Sequence, residues 1–65
     1  GLLGDVDANG VVDASDAMQI LQYDAHLIEL TDAQLAVADV DANGVVDASD
    51  AMRILQYDAH IIPSL

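Results

Sequence analysis

The chain has no cysteine, no phenylalanine, no tryptophan and no lysine, and Arg53 is its one permanently basic side chain. Each absence closes off a class of protein. Without cysteine no disulfide can brace the fold, and a core built from 65 residues rarely suffices alone. Without Phe or Trp the core must be aliphatic, and the 54% hydrophobic share is inflated by eleven alanines. The net charge of -11 makes nucleic acid a poor partner, because phosphate binding relies on Lys and Arg; an anionic membrane surface is excluded on the same ground. No apolar run approaches the roughly 20 residues that a bilayer-spanning helix requires. The chain opens on Gly1 with no Met and no signal-like segment, as expected of a module cut from a longer protein whose targeting signal lies elsewhere. The brace that remains available is a structural metal.

What is present is acid, written twice. DVDANGVVDASD runs from Asp5 to Asp16 and returns unchanged from Asp39 to Asp50. The whole unit 5–28 aligns with 39–62 at an offset of 34, identical at 22 of 24 positions; only Gln19 against Arg53 and Leu27 against Ile61 differ. A connector, 29–38, joins the copies. Two units are too few for a helical solenoid. They suit a single domain, 1–65, in which two copies face each other across a pseudo-twofold axis.

Each unit begins as a loop and continues as a helix. The stretches from about Ala14 to Leu27 and from about Ala48 to Ile61 contain no Gly or Pro and are rich in Ala, Met, Gln and Leu. Thr31 is a good N-cap for a short helix from about Asp32 to Ala38, with Asp32 suited to its first turn. Pro63 stops the last helix. The expected fold is therefore all-α: two antiparallel main helices with a short connecting helix, pseudo-twofold symmetric.

Asn9-Gly10 between valines could form a type I′ hairpin turn, but alternation would then gather Asp5, Asp7 and Asn9 on one face with no cation among them. Calcium accounts for every polar position. It takes six to eight oxygen ligands, and a twelve-residue loop supplies them from its first, third, fifth, seventh, ninth and twelfth residues, with Gly sixth for a sharp turn. The first loop offers Asp5, Asp7, Asn9, the Val11 carbonyl, Asp13 (often through water) and Asp16, with Gly10 at the turn. The second offers Asp39, Asp41, Asn43, the Val45 carbonyl, Asp47 and Asp50, with Gly44. Asp in the twelfth place, where Glu is common, leaves a shorter arm. Magnesium, which demands octahedral geometry and keeps its waters, is the weaker choice. Two calcium ions would bring the charge from -11 to -11 + 4 = -7.

An ordinary EF-hand has a helix on both sides of its loop, and Gly-Leu-Leu-Gly leaves no room for one before Asp5. The pattern GDVDANGVVDASD at 4–16, the helix after it, the connector LTDAQLAVADVDANG at 30–44 and the second copy together resemble the dockerin family over nearly the whole chain. That resemblance implies a calcium-dependent module that binds a cohesin module of a scaffoldin, one to one, and anchors its parent in an extracellular, cellulosome-like complex of bacteria. It implies a module that is monomeric when free and has no catalysis of its own. An EF-hand-type buffer or sensor is the alternative. An enzyme is disfavoured, since the carboxylates are committed to metal and no nucleophile is evident.

On a helical wheel Ala17, Ile20, Asp24, Leu27 and Ile28 share one side, with Ala14, Met18, Leu21 and Ala25 beside them. This apolar arc exceeds what two helices can bury, so the excess is either a partner surface or is covered by the connector helix. Ser15, Gln19, Gln22 and His26 form a polar border. The resemblance places partner recognition on Ala14, Ser15, Leu21, Gln22 and His26, and on Ala48, Ser49, Leu55, Gln56 and His60; Met18 and Met52 complete the apolar stripe. Many dockerins carry Lys or Arg at some of these places, and this chain does not. An apolar contact with a polar rim is expected instead, available in two orientations because the copies are nearly identical. Asp24 and Asp58 are expected beside the core, where carboxylates are out of place. Tyr23 and Tyr57 are expected to be half-buried, and Leu2 or Leu3 to pack on Pro63.

Overall fold

The structure, a computed structural model, describes residues 2–65. Its elements are α1 (Ala14–Asp24), α2 (Asp32–Ala38) and α3 (Ala48–Asp58), with no strand among the described residues. The all-α expectation holds, and the hairpin reading of Asn9-Gly10 fails. α1 and α3 are the antiparallel main pair and pack directly on one another.

Each main helix starts in the same way. Asp13 is the N-cap of α1: its carboxylate accepts the Ser15 N–H at 3.0 Å, while Asp16 Oδ2 accepts the Asp13 N–H at 2.9 Å. Asp47, Ser49 and Asp50 repeat the box on α3 at 3.0 and 2.9 Å. Such reciprocal capping satisfies donors that the first helical turn leaves free. Thr31 caps α2 as expected, and Gln34 completes that box by accepting the Thr31 N–H at 2.9 Å.

The helix ends correct the sequence reading. α1 stops at Asp24 and α3 at Asp58, three residues short of the expected ends at Leu27 and Ile61. His26 and His60 take left-handed backbone, φ 62° and 61°. The His26 N–H then bonds the Tyr23 carbonyl at 3.0 Å and the Leu27 N–H bonds that of Gln22 at 2.9 Å; His60 and Ile61 do the same with Tyr57 and Gln56. This is a Schellman closure, normally built on Gly. Its early arrival settles Asp24 and Asp58: both are exposed at helix ends rather than set against the core.

The core is small and aliphatic. Val6, Ala17, Ile20, Ala38, Val40, Ala51 and Ile54 are buried, with Val12, Leu30, Val46 and Leu65 partly buried around them. Ile20 and Ile54 are the largest side chains fully withdrawn from water. At roughly 1.5–3 kcal/mol for each buried aliphatic side chain, and less for alanine, so few residues give a marginal fold. Tyr23 and Tyr57 are half-buried.

α2 breaks the symmetry. Gln34 Nε2 donates to the Val6 carbonyl at 3.2 Å and the Gly4 N–H donates to the Val37 carbonyl at 2.8 Å, so α2 lies against the first loop. It also runs straight into the second, with Asp39 as its C-cap. The second loop is thus entered from a helix, whereas no helix precedes the first among the described residues.

The ends of the described chain come close together. Leu2, Leu3 and Pro63 border one hollow of about 450 Å³ and remain exposed. Leu65 also packs against Gly4. A Cβ placed on Gly4 would fall 2.6 Å from Leu65 Cδ1 and 3.0 Å from Val12 Cγ1.

Candidate metal centres and exposed face

In each loop three carboxylates converge. Asp5, Asp7 and Asp16 each place an oxygen within 4.8 Å of the others, and Asp39, Asp41 and Asp50 do the same. Ligand oxygens about 2.3–2.6 Å from one calcium ion must lie within about 5 Å of each other, so the spacing fits such an ion. Oxygen-only donors of this hardness suit calcium or magnesium rather than a softer metal.

The chain reverses tightly to bring them together. Gly10 and Gly44 sit at φ 87°, and Ala8 and Ala42 at 57° and 55°. Asp5 accepts the N–H groups of Asn9 and Gly10 at 3.2 and 2.9 Å, and Asn9 Oδ1 accepts that of Val11 at 2.9 Å. Asp39 and Asn43 make the matching bonds to Asn43, Gly44 and Val45. Asp16 and Asp50 are fully buried at the start of their helices.

Of the residues expected as ligands, three per loop are gathered as carboxylates. Asp13 and Asp47 stand outside those clusters and serve as helix caps. Asn9, Asn43, Val11 and Val45 lie on the exposed side of the loops. The left-handed backbone of Ala8 and Ala42 has no signal in the sequence, since nothing about alanine favours that geometry.

The crowded acids perturb one another. Desolvation first, then hydrogen bonding with Asp5 and Asp16, holds Asp7 above the ordinary carboxylate value of 3.8. Desolvation and the neighbouring Asp41 likewise hold Asp50 above it, despite the N–H groups of Asp47 and Asp41. Asp41 is also pushed up by desolvation. The Asn43 N–H, hydrogen bonds with Asp39 and Asp50, and the charge of Arg53 outweigh that and leave it below 3.8.

The expected partner residues are accessible. Ala14, Ser15, Met18, Leu21 and His26 are exposed, as are Ala48, Ser49, Met52, Leu55 and His60; Gln22 and Gln56 are half-buried. Met18 and Met52 expose 56% and 55% of their surface, Leu21 and Leu55 38% and 37%. α2 therefore does not cover the stripe on either helix. His26 and His60 belong to the closing turns rather than to the helices themselves.

A duplicated acidic loop, each copy leading into a capped helix with an uncovered apolar stripe, defines a small tandem loop–helix module. The model of the dockerin type I domain matches residues 3–57, and the chain belongs to that family. The family is calcium-binding, and its module is an interaction domain rather than a catalytic one. Two solved structures are similar, both of the third ScaC cohesin in complex with the ScaB dockerin from Acetivibrio cellulolyticus, displaying a type I interaction. The one with a mutation in the C-terminal helix is 34% identical with TM-score 0.89, over 95% of this chain and 88% of that chain. The one with a mutation in the N-terminal helix is 33% identical with TM-score 0.92, over 98% and 90%. Comparison with curated proteins gives no match. No helix among the described residues is long and apolar enough to cross a membrane.

Proposed function

We propose that the chain is one calcium-loaded dockerin module, with repeats over 5–28 and 39–62 and a connector over 29–38, that binds a cohesin module of a scaffoldin one to one. In doing so it anchors its parent protein in an extracellular, cellulosome-like complex. Each loop holds one calcium ion. Asp5, Asp7 and Asp16 are the carboxylate ligands of the first, with Asn9, the Val11 carbonyl and Asp13 completing the set directly or through water. Asp39, Asp41 and Asp50, with Asn43, the Val45 carbonyl and Asp47, hold the second. The metal supplies the charge neutralisation that lets each loop close onto its helix, and so replaces core that the sequence lacks.

The contact surface is the stripe of Ala14, Ser15, Met18, Leu21, Gln22 and His26, or equally its copy on α3. The observation that carries this reading is the matched exposure of Met18 with Met52 and of Leu21 with Leu55. A partner that accepts one helix meets nearly the same surface on the other. An apolar centre with a Ser, Gln and His rim is an ordinary interface composition. Lys and Arg are absent from the stripe on α1, and α3 adds only the exposed Arg53 at its border, so shape and apolar burial are the main source of affinity.

The test is calorimetric titration against a panel of cohesins, with calcium and with EDTA. Stoichiometric binding that disappears in EDTA is expected. M18D/L21D and M52D/L55D should each lower affinity about twofold, the loss of one of two equivalent populations, while the combined variant abolishes binding. Complete loss on altering α1 alone would sink the two-orientation reading.

A further inference from the structure

We propose that Arg53, one helical turn beyond Asp50, makes the two calcium sites unequal by weakening the hold of the second loop on its ion. This rests on the calcium reading above. The loops are the same twelve residues, so an inequality between them must arise outside them. The repeats differ at two places only. Leu27 and Ile61 are uncharged and lie beyond the far ends of their helices. Gln19 and Arg53 lie three residues after Asp16 and Asp50, on the neighbouring turn of the same helix face.

Arg53 is exposed and carries the chain's one permanent positive charge. That charge stands one helical turn from Asp50, a member of the cluster Asp39, Asp41 and Asp50. Gln19 brings no charge to the matching place. A fixed cation beside the cluster Asp39, Asp41 and Asp50 acts twice against a divalent ion. It relieves part of the repulsion that the ion would otherwise relieve, and it repels the ion on arrival. For a unit charge near a divalent ion in a water-like medium the effect is about twofold to fivefold in affinity at low ionic strength, and it fades near 1 M salt, where screening acts within about 3 Å.

α2 is a second source of inequality, because it lies against the first loop through the Gln34–Val6 bond and Asp5 is more deeply buried than Asp39. Comparing the two loops in the unaltered chain therefore does not isolate Arg53; substitution does. Gln already occupies the equivalent position of α1, so R53Q places on α3 a residue the fold accepts.

The experiment is a calcium titration followed by NMR, with the Gly10 and Gly44 amides reporting each loop separately, at low salt and near 1 M salt. R53Q should tighten the second loop about twofold to fivefold at low salt and leave the first unchanged. Q19R should weaken the first loop by a similar factor, R53K should behave as the unaltered chain, and the differences should vanish in high salt. A second loop indifferent to R53Q, or a difference that survives high salt, would overturn the role of the charge. If neither glycine responds to calcium in any variant, the calcium assignment itself fails, an outcome distinct from unequal filling.

Discussion

Asp16 Oδ1 accepts the backbone N–H of Asp7 at 3.2 Å, and the same carboxylate takes the N–H of Asp13 through its other oxygen at 2.9 Å. One buried side chain thus ties the beginning of the loop to the start of α1. Asp50 does the same for Asp41 and Asp47, at 3.4 and 2.9 Å. D16A or D50A removes two bonds to a charged acceptor and leaves buried donors unpaired. At roughly 1.5–3 kcal/mol for each such bond, and less than additively, each substitution should cost about 3 kcal/mol. Urea denaturation of the calcium-stripped chain checks this, because in calcium the same substitutions would also remove a metal ligand; a loss below about 0.5 kcal/mol would remove the tie from the account.

Calcium removal should lower the melting temperature sharply. An ion at about a hundred times its dissociation constant stabilises the fold by about 2.7 kcal/mol for each site, a large share of the stability of so small a core. A melting temperature indifferent to calcium between stripped and saturated samples would show that the loops close without it.

The metal-free chain should respond to pH in the direction opposite to the loaded one. Asp7 and Asp50 are raised above 3.8. Their protonated forms therefore stabilise the fold below that value, and this contribution is lost as pH climbs through their folded-state values. Asp41 is lowered, so its contribution is complete above 3.8 and is lost only below it. From 3.8 upward the first effect alone remains, and the stripped chain should lose stability with rising pH. With calcium the order reverses, because the ion needs ionised carboxylates. Thermal melts of both forms from about pH 3.5 to 7 decide it: parallel slopes would contradict the reading.

Four non-glycine residues hold left-handed backbone: Ala8, His26, Ala42 and His60. That conformation costs a side-chain-bearing residue about 1–2 kcal/mol, partly offset by the flexibility glycine adds to the unfolded chain. A8G and A42G should each stabilise the loaded module by about 0.5–1 kcal/mol in chemical denaturation. A destabilising result would mean that the alanine methyl makes a contact worth more than its strain.

Gly4 combines φ 89° with the Leu65 methyl at 2.6 Å from where its Cβ would lie. G4A should therefore destabilise by about 1–3 kcal/mol through backbone strain and overpacking. In L65A the penalty of G4A should shrink, because the nearer obstacle is gone. Equal penalties in both backgrounds, measured as a double-mutant cycle, would show that the two residues do not touch in solution.

Most of this fold is legible in the residues. Repetition of DVDANGVVDASD announces the duplication, and alternating carboxylates with a central Gly announce the loop. The apolar stripe that no second helix could bury announces an exposed face. The helix ends were harder to read. Apolar periodicity continues through Leu27 and Ile28, so it gives no stop at Asp24, and no glycine marks the turn. Histidine was the available signal, being among the few residue types enriched in left-handed backbone. Asp24 falls beside the core only on a helix continued to Leu27; with α1 ending at Asp24 it is exposed. The contact of Leu65 with Gly4 depends on how non-neighbouring segments close over the core, and local pattern carries no information about that.

α2 and the meeting of Gly4 with Leu65 lie outside the pseudo-twofold, since Gly4 bonds to Val37 and Gln34 to Val6. The exposed stripes are duplicated, but the contacts at the described chain ends are not. A module turned by half a revolution on its partner would present the same chemistry there while carrying whatever is joined to it toward the opposite side. On the proposal that either helix can dock, a symmetric plug set in an asymmetric body would make a single type of junction into a two-way pointer.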